Sequence, residues 1–274
     1  MSDSLGLRFL YRTIPGRAIL KMLVNEKVSV LGGIFMNSGF SKPMISYYIN
    51  KYDIDMSDIE IPANGFKSFN EFFTRKKKSV YCKNSNGHMI SPCDGFLTCI
   101  QIREQAVFDI KHTKFFLKDL LLNDALADKF KDGTALVYRL TPANYHRYCY
   151  VADGRIKSHK RINGVLHCVR PVATSTLPVF VQNSREYQVI ETEKFGTVVQ
   201  MEIGALMVGK ISNHRKYIDN SMVWTGDEKG YFEFGGSTIV VLLQKNAVEF
   251  SDEIKNKIAK KEEFPIKIGN IIGK

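Results

Sequence analysis

No two cysteines in this chain are spaced as C-x-x-C, no apolar run approaches the ~20 residues that span a bilayer, and no segment is repeated or of low complexity. The five cysteines, Cys82, Cys93, Cys99, Cys149 and Cys168, are odd in number, which argues against a disulfide framework or a structural zinc site. Free thiols in a reducing compartment are expected. The longest apolar candidate, Ile19 to Met36, is interrupted by Lys21, Asn25, Glu26 and Lys27. Met1-Ser2-Asp3-Ser4 has neither the basic head nor the apolar stretch of a secretory signal. Neither a signal peptide nor a transmembrane helix is therefore expected. Also absent are the Gly-x-Ser-x-Gly elbow, the Walker phosphate loop, the dinucleotide fingerprint and His-Glu-x-x-His. No metal site is expected. Without a zinc finger or a ribonucleoprotein aromatic motif, nucleic acid is not an expected partner.

What the chain does have is an ordinary globular composition over 274 residues, 44% hydrophobic and 24% charged, enough for one or two domains with a real core. Lys+Arg 39 against Asp+Glu 28 leaves a net charge of +11. Such an excess favours an anionic partner, whether lipid, nucleic acid or small molecule.

Two textures divide the chain near residue 80. Residues 1–80 read as helical, with Leu20, Val24, Val28, Leu31 and Phe35 on one face and Gly32-Gly33 predicted to interrupt it. Ser68 and Glu71 are spaced as a capping box, and Phe69, Phe72 and Phe73 share the face that follows. The adjoining Arg75-Lys76-Lys77-Lys78 makes two readings available: aromatic rings in a lipid interface with cations among phosphates, or core phenylalanines beside a solvated helix end. Residues 81–274 carry short strand-like runs, Val199 to Ile203 with period two and the apolar run Ile239 to Leu243, with one helix predicted from Phe116 to Phe130 and a mixed-charge helix or tail from Ser251 to Lys261. The expected fold class is α+β, with N-terminal helices followed by a mostly antiparallel β-rich domain.

Four segments can carry chemistry. Ser91-Pro92-Cys93-Asp94-Gly95 places a carboxylate in a turn, which alone is commonly just a turn. Tyr145-His146-Arg147-Tyr148-Cys149 sets a histidine among aromatics, and Gly164-Val165-Leu166-His167 sets another on what should be the next strand. Either histidine, taken singly, is more often structural than catalytic. Phe234-Gly235-Gly236-Ser237-Thr238 spends two glycines at the entrance to an apolar strand. That is either a bulge or a Gly–Ser peptide exposed to attack by its own serine.

Together, in this order and spacing, these segments resemble the phosphatidylserine decarboxylase family. The resemblance runs from Phe66 to the C-terminus and includes Phe69-Asn70-Glu71-Phe72-Phe73-Thr74-Arg75, Phe195-Gly196, Gly204 to Gly209 and Lys229 to Thr238. It implies a proenzyme in which Ser237 attacks the Gly236 carbonyl and forms an ester, elimination then releasing chain 1–236. Hydrolysis of the dehydroalanine left at 237 gives ammonia and a pyruvoyl group, the covalent cofactor of the small chain 237–274. That group would form a Schiff base with the amine of phosphatidylserine and accept electrons as carbon dioxide leaves, giving phosphatidylethanolamine.

The resemblance further implies that Asp94 orients a histidine base for Ser237 and that His146 protonates the carbanion. Many members carry Tyr-His-Arg-x-His, whereas this chain has Cys149 at the second histidine, a poorer base at its ordinary pKa of ~8.5. Either His146 does both tasks or His167 replaces the missing base. The implied partners are phosphatidylserine in an anionic membrane, the two chains of one precursor and, as an option, a second copy in a homodimer. The implied location is peripheral, on the cytoplasmic face of the cell membrane. Two alternatives are a non-processing basic protein that binds anionic surfaces and a pyruvoyl decarboxylase of a soluble amino acid.

Overall fold

The computed structural model describes residues 5–79, 87–103, 107–110, 113–168, 171–174, 176–205, 210–214, 220–234, 237–260 and 262–274. Five helices come first: α1 (Leu5–Arg12), α2 (Ile14–Leu23), α3 (Glu26–Asn37), α4 (Met44–Tyr52) and α5 (Phe69–Phe73). They are followed by β1 (Met89–Ile90), β2 (Gly95–Gln101), β3 (Val107–Ile110), β4 (Thr113–Phe116), α6 (Leu117–Leu121), α7 (Asp124–Asp128), β5 (Thr134–Leu140), β6 (Arg147–Cys149) and β7 (Gly154–Ile162). The chain continues through α8 (Pro171–Thr174), α9 (Val179–Gln182), β8 (Arg185–Thr192), β9 (Gly196–Ile203), β10 (Ile211–Asn213), β11 (Met222–Val223) and β12 (Glu228–Phe232). It ends with β13 (Ser237–Leu243), α10 (Asp252–Ala259), β14 (Phe264–Ile266) and β15 (Ile271–Gly273). Helices then antiparallel strands make this an α+β fold.

The principal sheet is antiparallel, in the order β11-β7-β8-β9-β13-β5-β2-β14, and a smaller one runs β10-β12-β6. Strand β13 lies near the middle of the principal sheet, and both of its faces are covered. Val240 and Leu242 join one core with Tyr187, Val199 and the residues of α6 and α7; Ile239, Val241 and Leu243 join the other with Leu97, Phe232 and Ile254. A strand buried on both faces reads as a continuous apolar run, which explains Ile239 to Leu243.

The helices depart from the sequence expectation in three places. The chain turns between α2 and α3, so Leu20 and Val24 enter the first core whereas Val28, Leu31 and Phe35 stay exposed. Gly32-Gly33 does not interrupt α3, which runs on to Asn37; the Asn37 side-chain amide donates to the Gly33 carbonyl at 2.9 Å. The helix expected over 116–130 is two short helices, because Leu122 takes the left-handed conformation and Asn123 caps a new start by accepting from Leu126 N–H at 3.0 Å. By contrast, Ser251 caps α10 through Ile254 N–H as a normal helix start.

Phe69, Phe72 and Phe73 are fully buried, in a separate core with Tyr48, Ile59 and Phe66. The core reading of these rings therefore holds over the lipid one. Ser68 caps α5 by accepting from Glu71 N–H at 3.2 Å, while the Glu71 carboxylate reaches Lys67 N–H rather than closing the box on Ser68. Among the described residues no helix is long and apolar enough to cross a membrane.

Candidate active site

Register brings Ser237 and Asp94 to one end of the principal sheet. Ser237 begins β13 opposite Leu140, the last residue of β5, and Thr238 faces Ile203, the last residue of β9. Gly204 therefore follows on the other side of Ser237, and its N–H bonds the Ser184 carbonyl at 2.9 Å. Beyond β5, Phe96 of β2 pairs with Arg139, which puts Asp94 at the same rim. Gly95 makes this approach feasible, since a Cβ there would lie 2.9 Å from the Arg139 carbonyl oxygen. Gly235 and Gly236 lie outside the described residues, as do Leu206 to Gly209 and Cys82.

On the approach to the Gly-Gly pair, helix α5 holds the chain. Asn70 Oδ1 accepts Phe234 N–H at 3.0 Å, while Asn70 Nδ2 donates to Asn37 Oδ1 at 3.0 Å and Glu233 Oε2 at 3.4 Å. The Phe234 ring packs edge-on against Phe69 and Phe73, with centroids 5.0 and 5.3 Å away. Asn70 thus joins the segment before the Gly–Ser bond to α3. Only its place inside the Phe69-to-Arg75 motif marked it in the sequence.

His146 is fully buried, its ring 3.9 Å from that of Phe73 and inclined 32° to it. Phe73 therefore touches both His146 and Phe234. Neither His146 ring nitrogen has a hydrogen-bond partner among the described residues. Burial, reinforced by the Arg75 guanidinium, lowers its pKa to about 3; the Asn144 carbonyl, outside hydrogen-bond geometry, pulls weakly the other way. The ring is thus neutral, carrying an unsatisfied donor and an unsatisfied acceptor. Each such group costs ~1–3 kcal/mol when buried, and buried polar groups without partners concentrate where function requires them. The loop before it is fixed by Arg75, which donates to the Asn144 carbonyl at 3.4 Å, and the strand after it by Arg147, which donates to the Thr74 carbonyl at 2.8 Å.

Asp94 is 3% exposed. One carboxylate oxygen accepts Ile268 N–H at 2.9 Å, and the other lies 3.4 Å from Lys77 Nζ and 3.6 Å from Lys267 Nζ. Lys77 also stands over the Tyr145 ring at 4.9 Å, so Asp94 is tied to the Tyr145-His146-Arg147 segment through a lysine rather than by a direct histidine contact. Neither lysine is evident as an Asp94 partner from the sequence, because 17 and 173 residues separate them along the chain.

His167 lies in a loop rather than on the expected strand, since β7 ends at Ile162 and Val165 makes only an isolated bridge to Asn183. Asn183 fixes it: Oδ1 accepts His167 N–H at 2.9 Å, and Nδ2 donates to the carbonyls of His167 and Gly204, each at 2.8 Å. His167 is therefore one side chain removed from the residue flanking Ser237. Its ring is half-buried, with Nδ1 3.4 Å from the Tyr11 hydroxyl, and burial lowers its pKa. Cys149, buried on β6, turns its thiol toward the Ser91 carbonyl at 3.9 Å.

Behind the site, Lys229 and Glu202 form a fully buried ion pair, with Asn213 completing the contact. Burial raises the Glu202 pKa against the pull of Lys229.

The chain is also similar to known proteins over most of its length. The family model described as phosphatidylserine decarboxylase matches residues 69–274. The chain is 41% identical over 271 residues to phosphatidylserine decarboxylase proenzyme 2 of Clostridium acetobutylicum, covering 97% of this chain and 91% of that protein. It is 38% identical to the phosphatidylserine decarboxylase proenzymes of Ruminiclostridium cellulolyticum, over 97% of this chain and 90% of the relative, and of Fusobacterium nucleatum, over 98% and 90%. With a match over most of its length and relatives covered almost end to end, the chain belongs to the phosphatidylserine decarboxylase family.

Proposed function

We propose that the protein is a self-processing decarboxylase that converts phosphatidylserine to phosphatidylethanolamine at an anionic membrane surface. The observation that carries this reading is the register at the sheet end, with Ser237 between Gly204 and Leu140, Asp94 two residues before the Phe96–Arg139 pair and Asn183 bridging Gly204 to His167. The residues fit a pyruvoyl group made from Ser237, because His146 offers two buried ring nitrogens without partners beside the Phe73–Phe234 contact.

In the processing step, the Ser237 hydroxyl gives its proton to His167, the base that stands in for the histidine replaced by Cys149. The oxygen attacks the Gly236 carbonyl carbon, and the Gly236–Ser237 C–N bond breaks as the ester forms, the departing nitrogen taking the proton from His167. Removal of the Ser237 α proton then expels the Gly236 carboxylate, and water releases ammonia from residue 237. Asp94 places negative charge at the rim and favours the imidazolium that results. The pyruvoyl group supplies an electron sink for loss of carbon dioxide from an amine-bearing substrate. His146 then hands a proton to the decarboxylated carbon. An anionic headgroup arriving beside its ring would raise its proton affinity from the depressed value.

Residues 1–80 provide the membrane-associating part. Leu5, Ile14 and Phe40 are 84%, 79% and 87% exposed, and exposed apolar side chains of this number mark a surface meant for another apolar phase. The net charge of +11 adds attraction to an anionic leaflet.

The test is a denaturing mass measurement of purified protein, combined with carbon dioxide release from phosphatidylserine vesicles. A fragment of about 4 kDa with an N-terminal pyruvoyl is expected; an intact 31.2 kDa chain without gas release would overturn the reading. Cys149 favours one second reading, a non-processing protein that binds anionic surfaces. Turnover of free serine without vesicles would instead favour a decarboxylase of a soluble amino acid.

A further inference from the structure

A cavity of about 620 Å³ opens between α3 and the end of the principal sheet. Its size is that of a small-molecule site. Val30, Gly33 and Ile34 of α3 form an apolar wall, and the opposite wall carries Ser184, Glu186 and Glu233. That opposite wall is continuous with the reaction centre. Ser184 accepts the N–H of Gly204, the neighbour of Ser237, and Glu233 precedes the Phe234-Gly235-Gly236-Ser237 segment.

The charges around the cavity are not equally committed. Arg185 spends its guanidinium on the carbonyls of Asp119, Leu120, Val181 and Asn183 at 2.7 to 3.0 Å, so it braces the fold. Lys210 is 3.1 Å from Glu233, and Glu186 is held by His159 and Asn213. Arg161, on β7 opposite Glu186, is exposed at the cavity and its guanidinium has no hydrogen-bond or ion-pair partner among the described residues. A free, planar fork of N–H donors beside an apolar wall suits an anionic group such as phosphate borne on an acyl-bearing glycerol.

We propose that this cavity is the binding site for the glycerophospholipid substrate, with the headgroup phosphate on Arg161 and the first acyl carbons against Val30, Gly33 and Ile34. The proposal rests on the decarboxylase reading and extends it to a named phosphate ligand. The serine end of the headgroup points toward the Ser184–Glu233 wall, and the acyl chains leave along α3. Leu31 and Phe35 lie exposed on the same helix, next to Val30 and Ile34, so the distal carbons remain in lipid while the headgroup is held.

The test is calorimetric titration of dihexanoyl phosphatidylserine into the full chain carrying Ser237→Ala, which cannot turn substrate over. Adding Arg161→Gln is expected to weaken binding at least tenfold, whereas Arg155→Gln, on the same strand but outside the cavity, leaves it within twofold. Glycerophosphoserine, which lacks acyl chains, is expected to bind at least tenfold more weakly than the lipid, and Ile34→Ala to weaken the lipid but not glycerophosphoserine. Equal affinity of the Arg161→Gln and parent proteins overturns the proposal, as does absence of lipid binding by the parent. Glycerophosphoserine binding as tightly as the lipid also overturns it and assigns the cavity to a soluble phosphate. Failure of the decarboxylase reading shows separately, as absence of carbon dioxide from wild-type protein, whatever the titration gives.

Discussion

Asn70 Oδ1 accepts the backbone N–H of Phe234 at 3.0 Å, and the same side-chain amide donates to Asn37 on α3. One buried amide therefore fixes the strand leading into the Gly-Gly-Ser segment relative to the apolar helices. Peptide self-attack needs the carbonyl carbon within about 3–3.5 Å of the attacking oxygen, so loosening this anchor should slow it. Asn70→Ala is expected to slow chain cleavage by an order of magnitude or more, read as the fraction of 31.2 kDa chain remaining with time. Asn70→Asp, which keeps the acceptor but sets a buried carboxylate against Glu233, should slow it as well. An Asn70→Ala chain cleaved at the parent rate would mean that the anchor is not what matters.

The two histidines should separate by assay. His167→Gln, Ser237→Ala and Asp94→Asn are each expected to leave the chain uncut on a denaturing mass spectrum. His146→Gln should still be cut but release carbon dioxide ~10²-fold more slowly or worse. An uncut His146→Gln chain would move the processing role to His146.

Acid should weaken the fold through His146. Its folded pKa of about 3 lies below the ordinary ~6.5, so the unfolded chain binds one more proton than the folded one between these values. The stability that goes with the neutral ring is complete above about pH 6.5 and is lost as pH falls toward 3. Between pH 7 and 4.5 this amounts to ~2–3 kcal/mol. Urea unfolding of Ser237→Ala protein should show that loss, and adding His146→Leu should flatten the slope by the same amount.

The rest of the site shows how far sequence alone reaches. The apolar run of β13, the Ser251 helix start and the burial-ready face of α5 are local patterns, and they were legible. Asp94, His146, His167 and Ser237 stood out as candidates only in combination. The Asp94–Lys77 and Asp94–Lys267 contacts, the Asn70 anchor and the Asn183 bridge from His167 to Gly204 were not legible, because strand register and loop closure create them over long chain separations. The split of the 116–130 segment turned on one left-handed residue, Leu122, a type that seldom adopts that conformation and so gave no warning.

Lys229→Met should destabilise the protein by ~3–5 kcal/mol, because it leaves the buried Glu202 carboxylate without its counter-charge. Replacing both partners at once, Lys229→Met with Glu202→Leu, should recover much of the loss. Denaturant midpoints of the single and double variants would settle this, and additive losses would argue against coupling.

Leu31→Glu with Phe35→Glu should reduce sedimentation with phosphatidylserine vesicles at least tenfold, since both side chains are exposed on α3. Vesicle binding should also fall with added salt. Undiminished sedimentation would place the membrane contact elsewhere.

The head of β13 sits in mid-sheet, with seven register pairs to β5 and six to β9. A nick at that point would sever covalent continuity without exposing a sheet edge. The C-terminal piece would also keep β14 laced to β2 and β15 to β1. Its two fragments would thus migrate together through a sizing column, part only in denaturant and, once parted, reassemble poorly, so maturation would be a one-way event written into the topology.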